Sequence, residues 1–181
     1  MPRTKQLDFC RIKKIFDKGY GFLTSLYHDE NIFFHFSKIK DFEKRQLLNN
    51  MKRGEVLIYY TSKTSNGKRQ VDNVWLNLAE VPQSLLPDFI TRLIVELNNG
   101  TINLFEIIAV FNQLRKLNKI SKENFKKIIS SKRISENPSV LLKIIDEKEI
   151  DISEKLKKTI YALEHSEIGF FKFQKELNNI L

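Results

Sequence analysis

The sequence predicts an α+β chain of two domains, an all-β domain over residues 1–81 followed by an all-α domain over residues 82–181. Three observations predict it. Apolar residues alternate with period two in the first half, and they recur at spacings of one, three and four in the second. Aromatic residues also concentrate early: 12 of the 20 Phe, Tyr and Trp residues precede Pro82, and eight of them fall within the first 36 positions. With 41% apolar residues and only 6 Gly and 4 Pro, the chain has enough apolar surface to offset the entropy of ordering. Disordered, collagenous and low-complexity classes are excluded.

The elements follow in order. Gly19-Tyr20-Gly21-Phe22-Leu23 and Ile32-Phe33-Phe34-His35-Phe36 alternate as short strands. Val56 to Tyr60 and Val71 to Leu76 flank the turn signal Ser65-Asn66-Gly67, so the first half holds about five strands. After Pro82 the period changes. Leu85, Leu86, Phe89, Ile90, Leu93, Ile94 and Leu97 form the stripe of an amphipathic helix, which Asn98-Asn99-Gly100 ends. Leu104, Ile107, Ile108, Phe111, Leu114 and Leu117 form a second stripe. Ser121, Asn137 with Pro138, and Ser153 signal further helix starts, and residues 170–181 make a last helix. Five or six helices are enough for a packed bundle.

Charge and composition narrow the function classes. The formal net charge is +9; residues 1–81 carry 15 basic and 9 acidic residues, net +6, and residues 82–181 carry 16 and 13, net +3. The longest apolar run, as in Ile107 to Phe111, is five residues, far short of a membrane span, and the N-terminus is polar. No membrane partner and a cytoplasmic location are therefore expected. Cys10 is the single cysteine and forms no internal disulfide. His28 and His165 lie in unlike contexts, and no Ser-His-Asp, Cys-His or phosphate-loop arrangement is visible, so neither a metal, a cofactor nor catalysis is expected. Glu147, Glu149, Asp151 and Glu154 read as a solvated helix end. Arg115, Lys116, Lys119, Lys126, Lys127, Lys132 and Arg133 read first as a solvated face, with a nucleic-acid backbone contact or a protein interface as alternatives.

The segment with most chemical content is the strand pair around Tyr20 and Phe33. Tyr20 and Phe22 project to one face of the first strand, Phe33 and His35 to one face of the second, and pairing brings four rings onto a shared surface. Each ring has its own core-directed neighbour, so these rings are surplus to the core. Stacking on an aromatic side chain contributes roughly 1–3 kcal/mol per base, which makes such a surface a platform for unpaired nucleic acid. Gly19 and Gly21 would let a flat ligand approach the backbone. Lys13, Lys14, Lys18, Lys38, Lys40, Lys68 and Arg69 could flank it and meet phosphates.

Lys18-Gly19-Tyr20-Gly21-Phe22-Leu23 and Ile32-Phe33-Phe34-His35-Phe36-Ser37 resemble the two ribonucleoprotein motifs of the cold-shock domain. Arg11-Ile12-Lys13-Lys14, Gly54-Glu55-Val56 and Asp72-Asn73-Val74 resemble its first, fourth and fifth strands, so the resemblance covers about residues 7–78. It implies a five-stranded antiparallel OB-like β-barrel that binds single-stranded RNA or DNA. It further implies base contacts from Tyr20, Phe22, Phe33, His35 and Phe36, a phosphate or base-edge contact from Lys18, and an aromatic contribution from Phe42. The family's first-strand Trp falls on or near Lys14, and Trp75, which follows Asn73-Val74, reads as helping to close the barrel. An RNA-recognition motif domain has its two motifs in the reverse order with a helix between them; here only Thr24 to Asn31 intervene. The expected function is a single-strand binder, RNA more than DNA, acting as an RNA chaperone or post-transcriptional regulator. The alternative is an adaptor whose residues 82–181 recruit a protein partner or self-associate.

Overall fold

The computed structural model describes residues 5–12, 14–16, 18–50, 56–144 and 150–180. They form two compact units, Met1–Phe89 and Ile90–Leu181, whereas the change of sequence period falls at Val81/Pro82.

The first unit is built on one sheet of β1 (Leu7–Arg11), β2 (Lys14–Phe16), β3 (Tyr20–Leu23), β4 (Ile32–His35), β5 (Leu57–Ser65) and β6 (Lys68–Trp75). Its spatial order is β1-β5-β6-β4-β3-β2. The expected first strand is present as two short pieces: β1 pairs with β5, while β2 pairs with β3. A strand that serves two neighbours in this way curls the sheet toward an OB-like barrel. The sheet is mixed rather than purely antiparallel, because β4 meets β6 in parallel, with Phe33 opposite Gln70. The β5–β6 hairpin turns through Asn66 and Gly67, whose φ values of 50° and 73° are those of a type I′ turn. A register shift at Thr61/Ser62 bends the same hairpin.

Alternation decides which face of each strand is core. Leu23, Ile32, Phe34, Ile58, Tyr60 and Val71 are buried together, joined by Ile12, Phe36 and Leu48. Leu48 comes from α1 (Phe42–Asn50), a helix in the connection after β4 that the lysine-rich sequence does not announce. Lys13 and the Gly54-Glu55 part of the fourth-strand match lie outside the described residues.

The outward side of β1 and β5 is covered too. Phe9 and Tyr59 pair across the ladder, and both rings meet Phe89 edge-on, at centroid distances of 6.1 and 6.3 Å.

The second unit holds most of α2 (Leu86–Asn99), with α3 (Leu104–Lys116), α4 (Lys122–Ile129), α5 (Lys132–Glu136), α6 (Ile150–Glu164) and α7 (Phe170–Ile180). Leu93, Leu97, Ile107, Phe111, Leu156 and Phe173 are among its buried residues. Asn103 and Ser121 cap α3 and α4 through their side chains, satisfying the N–H groups of Phe105 and Asn124. Pro138 opens a 3₁₀ segment, Pro138–Lys143, rather than an α-helix, and Ser153 lies inside α6 rather than at its start. Glu147 and Glu149 lie outside the described residues.

Two cations of the second basic cluster are structural. Arg115 donates to the Ile144 carbonyl (3.1 Å), and Arg133 donates to that of Ile102 (2.8 Å). Lys127 pairs with Glu123 and Lys132 with Glu136 one turn apart, as on a solvated helix face.

Candidate nucleic-acid interface

The ring surface lies on the outward side of β2, β3 and β4. Backbone register sets Tyr20 opposite His35 and Phe22 opposite Phe33, while Gly21 and Leu23 take the buried side. Tyr20 and Phe33 stack at 6.0 Å between centroids, and Phe22 meets Phe33 edge-on at 5.9 Å. Phe22 is 39% exposed. So large an apolar side chain at the middle of a strand, with the core already filled from the other face, is a surface available to a ligand.

Phe16 is the ring that motif reasoning leaves out. It pairs with Tyr20 across β2–β3 and stacks on it at 4.6 Å with an interplanar angle of 17°. The signal is local: on a strand whose Lys14 pairs with Phe22, the residue two places on shares the outward side. The first strand therefore contributes an aromatic at Phe16.

The turn that joins β2 to β3 is held by a hydrogen bond from the Gly19 N–H to the Phe16 carbonyl (2.8 Å). Gly19 has φ +76°, a conformation that other residues rarely adopt, so its glycine serves the turn. Its carbonyl accepts the Phe36 N–H at 2.8 Å, which fixes the end of β4 against this turn. Lys18 is exposed in the same turn.

His35 is exposed at the end of β4. Its Nδ1 accepts the Ser37 N–H at 3.0 Å, capping the short 3₁₀ turn Phe36–Lys38. This hydrogen bond orients the ring.

Several expected contacts are placed elsewhere. Phe36 is buried, its ring 5.7 Å from that of Phe34, because it continues the inward parity of Ile32 and Phe34; it belongs to the core rather than to the ring surface. Phe42 is 64% exposed at the start of α1 with Arg45 over its ring, and no described ring contact joins it to the Tyr20–Phe33 cluster. Lys68 is exposed at the hairpin tip, two residues before the Gln70 that pairs with Phe33. Arg69 alternates to the other side of β6, where it donates to Ser62 (3.4 Å) and lies 3.6 Å from Glu30. Lys14 has its backbone beside Phe22; its side chain, like all of Lys13, lies outside the described residues.

Electrostatic detail is concentrated at the far end of the barrel. Burial raises the Asp8 carboxyl to about 6, against hydrogen bonds from Ser25, Leu26 N–H and Phe9 N–H that favour its charged form. These bonds tie β1 to the connection between β3 and β4. Hydrogen bonds from Lys5 and Lys63 hold the Asp72 carboxyl down at about 2. Among the described residues no group of three or more His, Cys, Asp or Glu could hold a metal ion. None of the described helices is long and apolar enough to cross a membrane.

No curated protein matches the chain closely enough to count as a relative. The family model described as the 'Cold-shock' DNA-binding domain matches residues 11–77, which span β2 to β6 and every ring of the outward cluster. Over those residues the chain is similar to the cold-shock domain family, a family of nucleic-acid-binding domains.

Proposed function

We propose that the chain binds unpaired nucleic acid, RNA in preference to DNA, by stacking bases on Phe16, Tyr20, Phe22 and Phe33, and that it acts without catalysis as an RNA chaperone or post-transcriptional regulator in the cytoplasm. The observation that carries this reading is a set of aromatic rings in mutual contact on an uncovered sheet face whose opposite face already supplies the core. Every base presents a π-face, so such a surface binds unpaired strands with modest base preference. Lys18, in the turn before β3, and Lys68, at the start of β6, supply charge for the phosphates. Binding to unpaired strands alone shifts hairpins toward the open form by mass action, which is chaperone activity without chemistry.

Residues 1–81 would be the binding domain and residues 82–181 a separate helical domain; limited proteolysis that first cuts near Val81 would support that division. Matched ribo- and deoxyribo-oligonucleotides test the substrate, since only the 2′-hydroxyl distinguishes them. Tighter binding of the ribo strand supports the RNA reading, and equal binding of a fully paired duplex would end the single-strand reading.

One observation favours a partner protein for the helical domain. Phe171 on α7 is 83% exposed, whereas Lys143 lies over the Phe105 ring and His165 stacks on Tyr161. Retention of one protein by the full chain, lost in Phe171→Ala, would support the adaptor reading.

A further inference from the structure

The outward side of β6 continues the ring surface past His35. Gln70 lies beside Phe33, and Val74 packs with the core, which turns its neighbours Asn73 and Trp75 outward. Asn73 confirms that side by donating from Nδ2 to the Thr61 hydroxyl (3.2 Å). From Gln70 to Trp75 the strand advances about 15 Å at roughly 3.3 Å per residue, allowing for the bulge.

Trp75 stands at the end of this outward row. Its half-buried ring lines a pocket of about 240 Å³ together with Lys38, Lys40, Asn73 and the Lys44–Glu80 pair. The two acids of that pocket are already engaged. Lys44 holds Glu80 at 2.7 Å, and an Asp41 oxygen accepts the N–H groups of Glu43 and Lys44 at the start of α1. Among the described residues, no acid is within ion-pairing distance of Lys38 or Lys40. A ring, an amide and two free cations at the end of an outward row are the groups that a base and its flanking phosphates require.

We infer that the Trp75 pocket is a second base-binding subsite, in which a strand that already lies on the Phe22–Phe33 rings stacks one further base on Trp75 while Lys38 and Lys40 neutralise the adjoining phosphates. The inference rests on the nucleic-acid reading above and extends the path of the strand toward α1. It makes Trp75, rather than the buried Phe36, the aromatic that lengthens the platform.

Trp75 is the only tryptophan of the chain, so its emission reads this pocket alone. The experiment uses the full chain with end-labelled single strands of about four and about ten nucleotides, within the range of one OB fold. Label anisotropy reads binding, and tryptophan emission reads the pocket. The short strand is expected to bind with Trp75 emission unchanged. The long strand is expected to quench it and to bind roughly tenfold more tightly. Trp75→Ala should abolish that length-dependent gain and leave the short-strand Kd unaltered. Lys38→Ala with Lys40→Ala, changes at side chains outside the core, should also remove the gain and reduce the log-log salt slope by about 0.7 for each phosphate no longer neutralised. Long strands that bind tightly with unchanged emission, or a double-lysine variant that retains the whole gain and slope, would overturn the subsite and leave the ring surface intact. Absence of binding for both strands would overturn the nucleic-acid reading as well.

Discussion

The outward face of one sheet carries two clusters of aromatic rings, and only one of them is covered. On β1 and β5, Phe9 and Tyr59 are buried beneath Phe89. On β2 to β4, Phe16, Tyr20, Phe22 and Phe33 contact one another, and Phe22 stays 39% exposed. An outward ring on a strand is therefore not in itself a binding residue. What distinguishes the two patches is whether the chain supplies a lid of its own, and Phe89 supplies one where the family match has already ended.

The comparison can be broken first at Phe89. Phe89→Ala removes the cover of Phe9 and Tyr59 and leaves a cavity, so unfolding free energy should fall by about 3–5 kcal/mol while oligonucleotide affinity measured well below the melting temperature is unchanged. Loss of binding in that variant would mean that the covered patch serves the ligand. The open patch should show the reverse. Phe22→Ala with Phe33→Ala should weaken single-strand binding by about 1–3 kcal/mol for each base unstacked, seen by fluorescence anisotropy, with far smaller loss in a urea melt than Phe34→Ala, which empties the core side of β4. Equal stability losses for the two faces would end the distinction between them.

Gly100 offers a control in the other unit. A Cβ there would collide with the Glu96 carboxylate, which is held by the N–H groups of Thr101 and Ile102. Gly100→Ala should cost about 1–3 kcal/mol in the melt of the helical unit without altering strand binding.

The smallest effect is one of pH. Asp8 has a folded pKa of about 6, above its ordinary value of 3.8, so the folded state holds this proton more tightly than the unfolded state does. The stability it contributes is complete below pH 3.8 and is lost as pH rises through 6. Relative to Asp8→Asn, the native chain should lose on the order of 1–3 kcal/mol between about pH 4 and about pH 7.5 in urea melts. Asp72 has the opposite sign, since its pKa is lowered to about 2: its contribution is present above pH 3.8 and is lost as pH falls toward 2.

The sequence discloses the parts of this fold that depend on near neighbours. Alternation in residues 20–23 and 32–35 correctly separates Leu23, Ile32 and Phe34 from the rings, and Asn66-Gly67 marks the hairpin. Features that depend on distant pairing are not legible in the same way. The parallel meeting of β4 and β6 brings Trp75 near Lys38 and Lys40, more than 30 positions away, and no local period reports it. Phe89 looks like any other member of a helical stripe, yet it belongs to the unit of the sheet. Phe36 has the parity of Ile32 and Phe34, so alternation already places it in the core, and only the motif resemblance marks it as a base contact. Helix α1 escapes notice because Leu48 is its only buried residue.

The Phe16–Gly19 turn and the ring-to-ring contacts beside it are built from the chain's own groups. Immobilising a rotamer-rich side chain upon association would oppose binding by about 0.5–1.5 kcal/mol each. Here that ordering accompanies folding, so a base meets rings that are already in position. Association should therefore involve little conformational adjustment of the protein, with selectivity arising from the flexibility of the incoming strand.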